Sequence, residues 1–170
     1  MALWSGALVA LGQSGPYGLT AIKSSEGPER MEKKPTSSRL FILGPTNEYH
    51  MPVLRLAITD KPFMVGDLTL FEATIVTESN AMQTYKIPLV TNYFPHTEYS
   101  QIIDVPITNG PVTQMLAAMF NSPARATVAV DVVDGDHPDQ SKSYIVPRPA
   151  LDELRRQYLL LVKSSAAETH

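Results

Sequence analysis

Apolar and polar side chains alternate with a period of two through much of the chain beyond about Arg39, which is the pattern of half-buried β-strands. The clearest example is residues 53–59, in which Leu54 and Leu56 share one face and Arg55 lies on the other. Turn-forming residues separate such segments at about the 8–12-residue spacing that is typical of a β-sandwich or barrel. The segments predicted as strands are 39–44, 53–59, 68–79, 83–93, 100–108, 126–133 and 143–147.

Prolines indicate which of these strands lie at the edge of a sheet. Pro88 interrupts residues 83–93, and Pro106 interrupts residues 100–108. Because proline has no backbone N–H to donate to a neighbouring strand, we expect both segments to be edge strands, or to be bulged or broken at the proline. Residues 68–79 are apolar on both faces, which predicts a central strand.

Two helices are predicted after the fifth strand and at the end of the chain. The first covers residues 111–120, opens with a proline and follows the candidate caps Thr108 and Asn109. Its apolar residues recur at helical spacing: Val112, Met115, Leu116, Met119 and Phe120. The second helix covers residues 149–163, although residues 158–162 are also compatible with an eighth strand.

These elements predict a mainly β fold, an antiparallel β-sandwich or barrel of about seven to eight strands with one short inserted helix, a C-terminal helix and an N-terminal arm. We divide the chain into an apolar, glycine-rich arm (1–22), a linker (23–38), a single β-rich domain with the C-terminal helix (39–163) and a tail (164–170). The core is predicted to contain Leu54, Leu56, Phe71, Ile75, Leu116, Val128 and Val130.

The predicted arm is uncharged, because the first charged residue of the chain is Lys23. No basic residue precedes its apolar run, and the run is shorter than the roughly 20 residues of a membrane span, so we expect neither a secretory signal nor a membrane span. The segment is either an unordered terminus or an arm that becomes ordered against a partner. Its candidate partner-binding residues are Trp4, Leu8 and Tyr17.

Composition excludes several kinds of chemistry. The absence of cysteine removes disulfides, thiol nucleophiles and cysteine-ligated metals, and fits an intracellular or virion protein better than a secreted one. The net charge of −3 leaves no broad basic surface, so nucleic acid is not an expected partner. The chain also lacks the nucleophile-elbow, phosphate-binding and dinucleotide-binding motifs. We therefore predict no catalytic residue, no cofactor and no metal.

An acidic segment is the first candidate for binding a cation. Asp131, Asp134, Asp136 and Asp139 lie close together in the sequence, and oxygen ligands of this kind bind calcium. Their spacing differs from that of the helix–loop–helix calcium site. Asp-Gly and His-Pro steps form turns, so a connection between two strands is the favoured interpretation.

Two pairs of residues at spacing two are the second candidate, Glu48 with His50 and His96 with Glu98. On a strand, each pair would share a face and could help to hold zinc. Both pairs lie in proline-containing connections, where that spacing need not place them together. Exposed polar residues are therefore the favoured interpretation.

An aromatic segment, residues 92–99, offers Tyr93, Phe94 and Tyr99. Such side chains can form a contact surface for a partner, and they can equally close the end of a sandwich as hydrophobic plugs. The plug is the favoured interpretation, and the three residues are kept as candidate partner-binding residues.

These observations predict a non-enzymatic structural or assembly protein that contacts neighbouring subunits through its N-terminal arm. The expected partners are further copies of the chain or other structural subunits, as in a minor capsid, decoration or tail component of a virus or phage particle. Two alternatives remain open. One is a ligand-binding or enzymatic β-barrel with a pocket that the sequence does not reveal, and the other is an adaptor that binds peptides at a sheet edge.

Overall fold

The computed structural model describes residues 18–24, 31–45, 50–59, 63–64, 68–89, 99–107, 110–134 and 141–168. Within these ranges the chain forms eleven strands and two helices. The strands are β1 (Thr20–Ser24), β2 (Met31–Pro35), β3 (Arg39–Leu43), β4 (Val53–Ala57), β5 (Phe63–Met64), β6 (Thr69–Val76), β7 (Met82–Pro88), β8 (Tyr99–Ser100), β9 (Ile102–Pro106), β10 (Thr127–Asp134) and β11 (Lys142–Ile145). The helices are α1 (Pro111–Phe120) and α2 (Arg148–Glu168).

The strands form two main antiparallel sheets. The larger has six strands in the order β2-β1-β11-β10-β6-β7, and the smaller has three in the order β3-β4-β9. β5 and β8 form a separate two-stranded ladder. The sheets do not close into a barrel, so the predicted mainly β, antiparallel fold is confirmed in its sandwich form.

The inner faces of the two sheets meet in one hydrophobic core. In the larger sheet, Phe71 of β6 lies between Val132 and Ile87 on the neighbouring strands. In the smaller sheet, Leu54 of β4 pairs with residues of β3 and β9, and its side chain is fully buried. All of the predicted core residues are buried: Leu54, Leu56, Phe71, Ile75, Leu116, Val128 and Val130.

Prolines end three of the edge strands, as their lack of a backbone N–H predicts. Pro35 is the last residue of β2, Pro88 of β7 and Pro106 of β9, and each of these strands lies at the edge of its sheet. The predicted edge positions of the two proline-containing strands are therefore confirmed. β6 is an interior strand as expected, but its outer face is only half-buried, because no layer of described residues covers that face.

The predicted arm and linker need correction where the structure describes them. Residues 20–24 and 31–35 pair with each other, and β1 also pairs with β11, so both segments belong to the larger sheet. Leu19 is 1% exposed and lies in the core. The polar composition that suggested a linker fits an edge strand equally well, because an edge strand is largely solvated. Residues 1–17 lie outside the described residues.

α1 has the predicted bounds but a different cap. Its N-cap is Gly110, whose φ of 101° lies in the left-handed region that favours glycine. The Thr113 hydroxyl accepts a hydrogen bond from the Gly110 N–H and donates one to the Gly110 carbonyl. The predicted caps, Thr108 and Asn109, lie outside the described residues.

α2 is longer than predicted. It begins at Arg148 and continues to Glu168, which corrects the expected end at residue 163 and the tail over 164–170 for all but the last two residues. It also excludes a strand over 158–162. The hydroxyls of Ser164 and Ser165 donate to the carbonyl of Leu161, so polar side chains of the expected tail bond within the helix itself.

α2 also covers the outer edge of the smaller sheet. The backbone N–H of Ile42 in β3 donates to Oε1 of Gln157 at 2.9 Å. This amide would otherwise have no strand to pair with, because β3 lies at the end of its sheet. The side chain of Gln157 therefore accepts the hydrogen bond that a neighbouring strand would otherwise accept.

We expect Phe71→Ala to lower the free energy of unfolding by about 3–5 kcal/mol, because the truncation removes apolar contacts and leaves a cavity between the sheets. Chemical denaturation of the full chain measures this change. Leu68→Ala is the control, because the Leu68 side chain is 56% exposed, and it should change the value by less than about 0.5 kcal/mol. Similar small effects for both variants would contradict the position of β6 in the core.

Candidate functional site

The structure tests few of the residues that the sequence proposed for partner binding. Five of them lie outside the described residues: Trp4, Leu8, Tyr17, Tyr93 and Phe94. Tyr99 is the first residue of β8, where its backbone pairs with Met64 of β5. The assignment of these six residues to partner binding stays a prediction.

The candidate cation ligands are placed only in part. Asp131 lies within β10 and Asp134 is its last residue, whereas Asp136 and Asp139 lie outside the described residues. β10 and β11 pair as antiparallel neighbours, which fits the favoured interpretation of a connection between two strands.

The candidate zinc ligands give a similar result. His50 is exposed, and Glu48, His96 and Glu98 lie outside the described residues. In the described part of the chain, no three His, Asp or Glu side chains come together in a group that could hold a metal ion.

A row of polar side chains crosses the outer face of the larger sheet. Asp131 lies opposite Glu72 and Ser143, and Glu72 lies opposite Lys86 of β7. The Lys86 ammonium is 3.3 Å from Oε1 of Glu72. Burial raises the pKa of Asp131 above its ordinary value and the Glu72 carboxylate adds to this, while a hydrogen bond from Ser143 opposes it.

The outer edge of β7 presents backbone groups that no described strand pairs with. The ladder with β6 is bounded by bonds from the Thr77 N–H to the Ala81 carbonyl and from the Leu89 N–H to the Thr69 carbonyl, each 3.0 Å long. Between these two bonds, β6 and β7 pair residue by residue without a bulge. Because hydrogen-bonded pairs alternate in an antiparallel ladder, the odd-numbered residues of β7 face β6.

The even-numbered residues therefore point their backbone groups away from the sheet. Met82, Thr84 and Lys86 each offer one N–H and one carbonyl at this edge, and Pro88 adds a carbonyl only. The side chains of these residues are exposed, and Met82 is 71% exposed. No described strand or helix pairs with this edge.

A cleft of about 300 Å³ lies beside the first half of β7. Ile75, Thr77 and residues 81–83 line one wall, and Ala118 together with residues 121–123 lines the other. The cleft forms because α1, which packs on β6 and β7, ends at Phe120 beside the hairpin that joins the two strands. None of the lining residues carries a charge. We call the free edge of β7 together with this cleft the edge site.

The edge site has the chemistry needed to bind an extended chain. Backbone groups spaced two residues apart can pair with an added strand, and the cleft can take one of its apolar side chains. Sequence reasoning found the edge through Pro88 but missed the cleft. No local signal could have placed the end of α1 beside the hairpin, because the two are about 40 residues apart in the chain.

α2 carries a second exposed apolar surface. Leu159, Leu160 and Val162 each expose about half of their surface, whereas the buried side of the helix packs Leu151 and Leu154 into the core. These three residues form the α2 patch. No described residue covers it.

The chain matches no known protein-family model, and searches of curated proteins and of solved structures returned no significant match. Among the described helices, none combines the length and the apolar composition needed to cross a membrane.

We expect Asp131→Asn to raise the melting temperature at about pH 7, with a gain that shrinks as the pH falls towards 4. The raised pKa means that ionisation of Asp131 costs the folded state more than the unfolded state. The wild-type protein therefore loses stability as the pH rises through the folded-state pKa, and asparagine cannot ionise. Thermal melts across this pH range measure the difference.

Glu78→Gln is the control for this prediction, because Glu78 is an exposed carboxylate that pairs with Arg125 at 3.4 Å on the surface. Removal of this exposed charge should not raise the melting temperature at about pH 7. A gain for Asp131→Asn of equal size at both ends of the range would contradict the assigned role of burial.

Proposed function

We propose that the protein is a non-enzymatic assembly protein whose copies join by adding an extended segment to the edge site. The observation that carries the proposal is the row of backbone groups at Met82, Thr84 and Lys86, which no described strand pairs with, beside a cleft whose described lining carries no charge. Strand addition uses backbone hydrogen bonds for affinity and a pocket beside the strand for specificity. Both features lie together at the edge site.

Convergent backbone donors and apolar side chains support binding of a chain more than they support catalysis. At the edge site the polar groups next to the cleft are amides, hydroxyls and backbone groups, such as Gln83, Asn121 and Ser122. Groups of this kind orient a bound peptide. Their arrangement favours an assembly role, of which particle subunits of a virus or phage are one kind.

The anchored root of the N-terminal segment supports the proposed contact through an arm. The Leu19 N–H donates to the Ser38 carbonyl, and the Leu19 carbonyl accepts from the Thr36 N–H, both at 2.9 Å. The described chain therefore begins beside a residue whose backbone is fixed to the rest of the domain. Fixing one end of a segment raises its effective concentration at a nearby partner.

A single contact of this kind is expected to be weak. Each hydrogen bond contributes only about 0.5–1.5 kcal/mol net, and association loses translational and rotational freedom. We therefore expect association to depend on protein concentration.

Thr84→Pro should shift the midpoint of self-association to about tenfold higher concentration or more. Proline removes the central N–H of the free edge, and its ring obstructs an added strand. The ladder with β6 should persist, because the Thr84 N–H points away from β6. One lost hydrogen bond of about 1.4 kcal/mol corresponds to that tenfold change. Sedimentation velocity across a concentration series measures the midpoint.

Thr84→Val is the matched control. Both variants lose the contact between the Thr84 and Thr74 hydroxyls, which lie 3.2 Å apart, but valine keeps the backbone N–H. Valine should therefore leave the midpoint unchanged. Met82→Pro, which blocks a second outward N–H, provides an independent variant if Thr84→Pro does not fold. A wild-type chain that stays monomeric at every concentration, or equal midpoints for proline and valine, would overturn the proposal.

A further inference from the structure

We infer that the segment bound at the edge site is the uncharged N-terminal segment, residues 1–17, of a second copy of the chain. This inference rests on the proposed function and names the partner for the site. Each copy would then provide one N-terminal segment and receive another. The assembly needs no additional component.

The cleft and the N-terminal segment have matching chemistry. No charged residue is among the described residues that line the cleft, and an uncharged ligand leaves no ionised group buried without a partner. The first 22 residues contain no charge, which is the longest uncharged stretch of the chain. The segment also has large apolar side chains for the cleft, among them Trp4 and Leu8.

Position favours a segment from another copy over the chain's own segment. The described chain begins at Gly18, next to β1, and β7 lies four strand positions away at the opposite edge of the same sheet. At about 4.8 Å per strand, that separation is about 19 Å, which 17 residues can span, so the direction of approach and not the distance distinguishes the two sources. The chain's own segment would have to cross a face of the sheet. A segment from a second copy can approach β7 in the plane of the sheet.

The length of the segment permits such a bridge. Seventeen extended residues span at most about 56–61 Å. We call residues 1–17 the donor segment and the outer edge of β7 the acceptor edge. Because one copy would give its donor segment to the acceptor edge of another, the contact would be head-to-tail rather than symmetric. Such contacts build rings or linear arrays, whereas pairing of β7 with β7 of a second copy would stop at a dimer.

A mixing experiment with full-length variants tests this arrangement. Thr84→Pro blocks the acceptor edge and leaves the donor segment intact. The double variant Trp4→Lys with Leu8→Lys places two charges in the donor segment and leaves the acceptor edge intact. Each should be monomeric alone at concentrations where the wild-type chain assembles. An equimolar mixture should form a 1:1 complex and nothing larger, as measured by sedimentation velocity.

A matched control adds the same charge at a different apolar surface. The double variant Leu159→Lys with Leu160→Lys changes the α2 patch, and it should assemble with the midpoint of the wild-type chain. If this control loses assembly while the N-terminal variant keeps it, the copies join through α2 and the inference is wrong.

Other outcomes identify other occupants of the edge site. If the N-terminal variant still assembles while Thr84→Pro does not, a different segment binds at β7, so the inference fails and the proposed function stands. If Thr84→Pro and Thr84→Val differ in Trp4 fluorescence as dilute monomers, residues 1–17 of each chain bind the β7 edge of the same chain, and the inference of a second copy is wrong. If the wild-type chain never assembles, the proposed function fails as well.

Discussion

Strands at the edge of a sheet carry backbone N–H and carbonyl groups that have no neighbouring strand to bond with. The need to cap, end or bind these groups explains the position of α2, the prolines at the strand ends and the candidate binding site. At β3 the side chain of Gln157 accepts the hydrogen bond that a strand would have accepted, and this contact ties α2 to the smaller sheet. At β2, β7 and β9 a proline ends the strand, and the proline itself has no backbone N–H that would need a partner. β7 differs from the others because its outward groups lie beside an uncharged cleft.

The packing of the core determines where that cleft forms. α1 covers the part of the larger sheet formed by β6 and β7, where Val112, Met115, Leu116 and Met119 join the core. The helix stops at Phe120, and residues 121–123 turn away towards β10. The packing of α1 that buries the core therefore also leaves the cleft next to the free edge of β7, and the two together form a surface that can bind an extended chain.

Much of the fold could be predicted from local patterns, because the period-two segments and the bounds of α1 depend on residues close in sequence. Pro88 and Pro106 also indicated edge strands, because the missing backbone N–H of a proline can be read from the sequence alone. β1 and β2 were missed, since a polar edge strand resembles a linker until its partner strand is known. The Arg55–Asp104 pair, with two contacts of 2.8 Å and an aspartate that is 2% exposed, depends on the register of β4 with β9, and the cleft depends on two distant segments.

Amide hydrogen exchange along β7, measured in the dilute monomer and in the assembly, tests the central claim most directly. In the monomer, Gln83, Tyr85 and Ile87 should be protected by their bonds to β6, while Met82, Thr84 and Lys86 should exchange quickly. In the assembly, the second group should become protected as well. Equal protection of both groups in the monomer, or fast exchange of the second group in the assembly, would contradict the account.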